Sequence, residues 1–123
     1  MDENTKVVIG GKEYELVLTT LATKEISKRY GGLENLGSKL QNAQSFEESI
    51  DEIIFLIVLL ANQSIMVSNL SSETKKPLLK VEEVELLTTP SDLASFKDAI
   101  TNAMLKGTKR EIVSEEVKNV EGE

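Results

Sequence analysis

The sequence predicts a mainly α, α+β fold: an N-terminal β-hairpin followed by a small helical bundle around one long central helix. Three observations predict it. Residues 5 to 18 place a Gly-Gly pair between a β-branched run and an alternating run. From Thr20 onward the apolar spacing lengthens from two residues to about four, which is the change from strand to helix. Between Ser45 and Leu70 the apolar pattern runs far beyond the length of an ordinary strand.

The hairpin is read from Lys6-Val7-Val8-Ile9, whose β-branched side chains suit a pleated surface. Gly10 and Gly11 tolerate the positive φ that a two-residue hairpin turn demands. In Glu13-Tyr14-Glu15-Leu16-Val17-Leu18 the alternation puts Tyr14, Leu16 and Leu18 on one face. Leu18, Ala22, Ile26 and Tyr30 then recur every four residues, predicting a helix over about 20–30 that Gly31 and Gly32 stop. Leu33, Leu36 and Leu40 predict a shorter helix over 33–42.

Ser45-Phe46-Glu47-Glu48 has the form of a capping box, with Ser45 at the cap and a Glu three positions later, so the long helix is expected over 46–70. A polar loop over 71–80 carries Pro77. A short helix over 81–87 is expected to turn Glu82, Glu83 and Glu85 to water. Thr89 can cap the next helix, Pro90 fits its first position and Asp92 suits the positive end of its dipole. That helix, over 90–106, carries Leu93, Phe96, Ile100, Ala103 and Met104 on one face and ends near Lys106 and Gly107. Residues 1–107 therefore read as one globular domain. Residues 108–123 read as a flexible charged tail, in which Val113, Val117 and Val120 could form a stripe on a partner.

Composition narrows the function. The chain has 123 residues, 40% of them hydrophobic and only 4% aromatic, so the core must be built from Leu, Ile and Val. Its net charge is -7, and no basic patch interleaved with aromatics occurs. Nucleic acid is therefore not the expected partner, because phosphate contacts dominate that affinity. The opening Met1-Asp2-Glu3-Asn4 is unlike a secretory signal. The longest unbroken apolar run, Ile53 to Ala61, is short of the ~20 residues that span a bilayer. A cytoplasmic protein away from membranes is the expectation.

No candidate for catalysis or cofactor binding stands out. Cys and His are both absent from the sequence, which removes the commonest nucleophile, transition-metal ligand and neutral-pH proton carrier. Glu47, Glu48, Asp51 and Glu52 cluster at the start of the long helix, where they are expected to complement the helix dipole and face water rather than hold a metal. Ser72 to Lys75 matches Ser-x-x-Lys by letter but stands in a polar loop without the motifs that accompany it in enzymes. The expectation is a non-enzymatic protein with no catalytic, cofactor or metal residues.

The long helix is apolar on two sides. At 100° per residue, Phe46, Ile50, Ile53, Ile54, Ile57, Ala61 and Ile65 share one stripe, which is sufficient to face a core. Phe55, Leu59, Met66 and Leu70 lie roughly opposite, with Leu56, Leu60 and Val67 on the flank. Either the other elements wrap this helix completely, or part of the second face is left for a partner or for another copy of the chain. Phe55, Leu59, Met66 and Leu70 are the candidate partner-binding residues.

Two stretches carry a resemblance. Val7-Val8-Ile9-Gly10-Gly11-Lys12-Glu13-Tyr14-Glu15-Leu16 and Ile26-Ser27-Lys28-Arg29-Tyr30-Gly31-Gly32-Leu33-Glu34-Asn35-Leu36 resemble the tail assembly chaperones of long-tailed phages and prophages of Gram-positive bacteria. The later Val81-Glu82-Glu83-Val84-Glu85-Leu86-Leu87-Thr88-Thr89-Pro90 is similar to them too. The resemblance spans roughly residues 6 to 107. It implies a β-hairpin followed by a helical bundle, made in the host cytoplasm and absent from the mature virion. It also implies binding and solubilising the tape measure protein, recruiting tail tube subunits, and a tendency to self-associate as a homo-oligomer. Two other classes stay open at this point: a structural virion protein, such as a tail completion or head–tail connector protein, and an acidic regulatory protein that neutralises a basic partner.

Overall fold

A computed structural model of the chain describes residues 4–36 and 46–107. The chain opens with strands β1 (Lys6–Ile9) and β2 (Lys12–Glu15), followed by helices α1 (Thr20–Tyr30), α2 (Phe46–Ser71), α3 (Val81–Leu87) and α4 (Pro90–Gly107). This is the expected architecture: an antiparallel hairpin, then helices gathered around one long helix.

β1 and β2 pair antiparallel, with Val7 opposite Tyr14 and Ile9 opposite Lys12. Gly10 and Gly11 form the turn at φ 59° and 83°, a pair of left-handed positions that favours glycine. Val7 and Ile9 are buried while Val8 between them is exposed, so one face of the ribbon meets the helices. The strands are shorter than the 5–18 expected, but the path continues. The Leu16 amide donates to the Thr5 carbonyl (2.8 Å) and the Val17 amide to the Leu60 carbonyl of α2 (3.2 Å). Leu16 and Leu18 are buried, as their alternation predicts.

Within the described residues, the stop and start signals of α1 and α4 have visible partners. The Thr19 hydroxyl caps α1 by accepting from the Ala22 amide, and Gly31, at φ 84°, closes α1 through its amide to the Ser27 carbonyl. Gly32 follows at φ 140°. Thr89 and Asp92 cap α4 reciprocally: the Thr89 amide donates to Asp92 Oδ2 (2.9 Å) and the Asp92 amide to Thr89 Oγ1 (3.3 Å). Pro90 takes the first helical position of α4. The expected helix over 33–42 begins at residue 34 and leaves the described residues after 36. Ser45 and the tail 108–123 also lie outside them.

The core is built on α2. Leu56, Ile57, Leu60 and Ala61 have no exposed surface, and Ile26, Val84 and Ile100 bring α1, α3 and α4 onto the same cluster. α2 packs on α4, α3, β2 and α1, while α4 also touches β1. The end of α4 comes so close to Leu18 that a Cβ at Gly107 would stand 2.5 Å from the Leu18 Cβ. Only a residue without a side chain fits this approach.

Leu56 and Leu60, on the flank of α2, are among the most deeply buried side chains, and the connector from β2 to α1 meets α2 there through the Val17 amide. Two expectations for α2 need correction. Phe46, assigned to the core stripe, is 69% exposed. It is the first residue of the helix, ahead of the enclosed stretch that begins at Glu52. Glu52, expected in water, is buried and belongs to an internal polar cluster.

Candidate protein-interaction face

The second face of α2 is built in three stretches, each positioned by a different element. The first lies under the C-terminal end of α1. Glu52 projects from α2 toward Arg29 and Tyr30. Arg29 Nε donates to Glu52 Oε1 at 3.1 Å, and the Tyr30 hydroxyl donates to the same oxygen. The Arg29 guanidinium also lies over the Phe55 ring, 4.2 Å from its centroid, and Tyr30 meets that ring edge-on at 6.2 Å. The carboxylate holds the guanidinium pKa above its ordinary value. Burial, reinforced by the bond to Glu52, raises the Tyr30 phenol well above its usual 10. Phe55 is thereby half-buried and packed on the core.

The second stretch lies at the start of α1. The Thr19 hydroxyl donates to Gln63 Oε1 (2.5 Å), and Gln63 Nε2 donates back to the Leu59 carbonyl (3.0 Å). Gln63 is buried, so both polar ends of its amide are satisfied inside the fold. With Thr19 on Gln63 and Arg29 on Glu52, α1 runs antiparallel along this face and covers about three turns of it. Leu59, between the two latches, is half-buried against the core.

The third stretch lies past the reach of α1. Met66 and Leu70 lie beyond the start of α1. Met66 is half-buried, and Leu70 is 80% exposed. None of Phe55, Leu59, Met66 and Leu70 is sealed in the core. They divide all the same: the first two support the packing of α1, and the last two form an apolar overhang.

Beside that overhang, where the sequence predicts a polar loop, lies an extended segment. Asn62 Nδ2 donates to the Leu79 carbonyl (2.9 Å) while Asn62 Oδ1 accepts from the Leu79 amide (2.7 Å). Asn69 repeats the arrangement on Lys76, donating to its carbonyl (3.1 Å) and accepting from its amide (3.0 Å). Lys75 Nζ donates to the Asn69 and Ser72 carbonyls and so caps the end of α2. That bond occupies Lys75, and the Ser72 hydroxyl donates to the Thr74 carbonyl, so the Ser-x-x-Lys letters describe a helix stop. The one signal that could have revealed the segment is the placement of Asn62 and Asn69 seven positions apart in an uncharged, largely apolar run. That spacing puts them on one line of a helix.

Among the described residues no group of three or more acidic side chains is arranged to hold a metal ion. By length and composition α2 also meets the measure for a membrane-crossing helix, with mean hydropathy 2.0 over an 18-residue window, 44% of it buried inside the fold. The charge-free stretch is thus longer than the run from Ile53 to Ala61 suggests. Core helices of soluble proteins meet the same measure, and α2 carries Glu52 and Gln63 on internal partners. Comparison of the chain with protein-family models, with curated proteins and with solved structures finds no match.

Proposed function

We propose that the protein is a non-enzymatic binding protein that masks apolar segments of a client, in the manner of a phage or prophage tail assembly chaperone acting on the tape measure protein. The observation that carries this reading is the overhang at the end of α2: Met66 half-buried and Leu70 80% exposed, past the stretch of the helix that α1 covers. A holdase needs apolar surface that its own fold leaves uncovered. It also needs charge to keep the loaded complex dispersed, and the chain carries -7. The resemblance of the hairpin and α1 sequences to the tail assembly chaperones supplies the client and the recruitment of tail tube subunits.

The test is co-expression with a tape measure protein encoded beside this chain. The wild type keeps the client in the soluble fraction. The double variant Met66→Ser and Leu70→Ser stays folded by circular dichroism and leaves the client in the pellet. Met66 and Leu70 make a cleaner test than Phe55 and Leu59, which also hold α1. A folded double variant that solubilises the client as well as the wild type sinks the proposal. Recovery of the chain in purified virions would favour a structural component instead.

A further inference from the structure

We infer that the overhang at the end of α2 is a docking site for the chain's own C-terminal tail, whose residues 112–120 cover Val67 and Leu70 and compete there with a client. Residues 108–123 lie outside the described residues. The inference deepens the client-binding reading and rests on it only for the competition.

Three observations carry it. First, the tail leaves the fold beside the site. A Cβ at Gly107 would stand 2.5 Å from the Leu18 Cβ, and the hydroxyl of the next residue, Thr19, donates to Gln63 of α2. Leu70 follows Gln63 by seven positions, on the same line of the helix and about 10.5 Å further along. The six residues from Gly107 to Val113 can span about 20 Å, so the tail reaches the overhang with slack. Second, the tail carries side chains that suit the site. Val113, Val117 and Val120 are spaced four and three apart, which sets them on one face of a helix. They match an apolar patch that is half-buried at Met66 and Val67 and ends with Leu70 80% exposed. Third, the charges are complementary. Residues 72–80, beside the overhang, hold Lys75, Lys76 and Lys80 against Glu73 alone, and all four are exposed. Residues 108–123 hold five Glu against two Lys and one Arg. The basic strip that follows α2, on a body of net charge -7, thus faces an acidic tail.

A tether this short holds the tail at an effective concentration of about 1 mM, so a weak contact suffices. The chain has no Cys, so Ser114→Cys gives the full-length protein a single attachment point for a nitroxide. The Val67 and Leu70 amides then lose most of their NMR intensity through paramagnetic broadening. Adding Val113→Ser, Val117→Ser and Val120→Ser to the labelled chain restores that intensity, and Leu70→Ser alone restores it at Val67. Broadening that is the same with and without the three valines overturns the inference, because a tail that only drifts past the site gives that result. Broadening carried from a labelled chain to a separate isotope-enriched chain overturns it too, because the tail then sits on a second copy. Covering is read separately with the apolar dye ANS. The triple tail variant binds more dye than wild type, and adding Leu70→Ser removes the gain; equal dye binding by wild type and tail variant overturns the inference. These readouts need no client. If they hold and the client stays insoluble, the chaperone reading falls and the docked tail stands. If they fail and the client is solubilised, the reverse holds.

Discussion

The two halves of α2 solve the same chemical problem differently. From Glu52 to Ala61 the helix is enclosed by α1, the hairpin connector, α3 and α4, and Leu56, Ile57, Leu60 and Ala61 have no exposed surface. From Asn62 to Ser71 the sequence carries no charge, yet Ile65, Met66 and Val67 are half-buried and Leu70 is exposed. The first half is covered by regular elements that bury apolar side chains. The second is covered by an extended segment held chiefly by two amides. An uncharged helix therefore does not report how much of itself is core: coverage depends on the length and placement of its neighbours. α1 has 11 residues and α2 has 26, so α1 cannot reach the end.

The largest expected effect sharpens that contrast. Leu60→Ala removes atoms from a fully enclosed site and should cost about 2–5 kcal/mol, read as a shift in the urea midpoint. Met66→Ala, half-open already, should cost about 1 kcal/mol or less. Equal losses would mean that the two halves are packed alike.

A smaller effect comes from the latch over the enclosed half. The Tyr30 phenol is raised in the folded chain, so the folded state keeps a proton that the unfolded chain releases near pH 10. The contribution is complete below that pH and is lost as pH rises beyond it. Stability measured by urea unfolding should fall between pH 9 and about 11.5, and more steeply than in Tyr30→Phe. Identical slopes would remove Tyr30 from the latch.

The smallest effect breaks the comparison at its open end. Leu70→Ser should change stability by about 0.5 kcal/mol or less, since the side chain stands mostly in water. A loss above 2 kcal/mol would show that Leu70 belongs to the core after all.

Local physics made most of the fold legible. The end of α1, the start of α4 and the hairpin turn follow from Gly31, Thr89–Pro90 and Gly10–Gly11, each acting on its own few residues. The candidate face was legible only as an excess of apolar side chains on α2. Its division into a packed half and an open half was not. The internal role of Glu52 was hidden because an acid in the first turns of a helix already has a sufficient local explanation in the dipole. Its partners, Arg29 and Tyr30, stand more than twenty residues away. Asn62 and Asn69 were hidden for the same reason, since an amide in a helix does not disclose which backbone it will meet.

The sequence by itself determined the hairpin turn, the stop of α1 and the start of α4, because caps, glycines and periodicity act within a turn or two. It also determined that α2 would be uncharged from Ile53 to its end. The tertiary structure alone decided which parts of α2 are sealed, which acid is internal, and which segment lies against Asn62 and Asn69. Those outcomes depend on contacts between residues far apart in the chain, and no local preference encodes them.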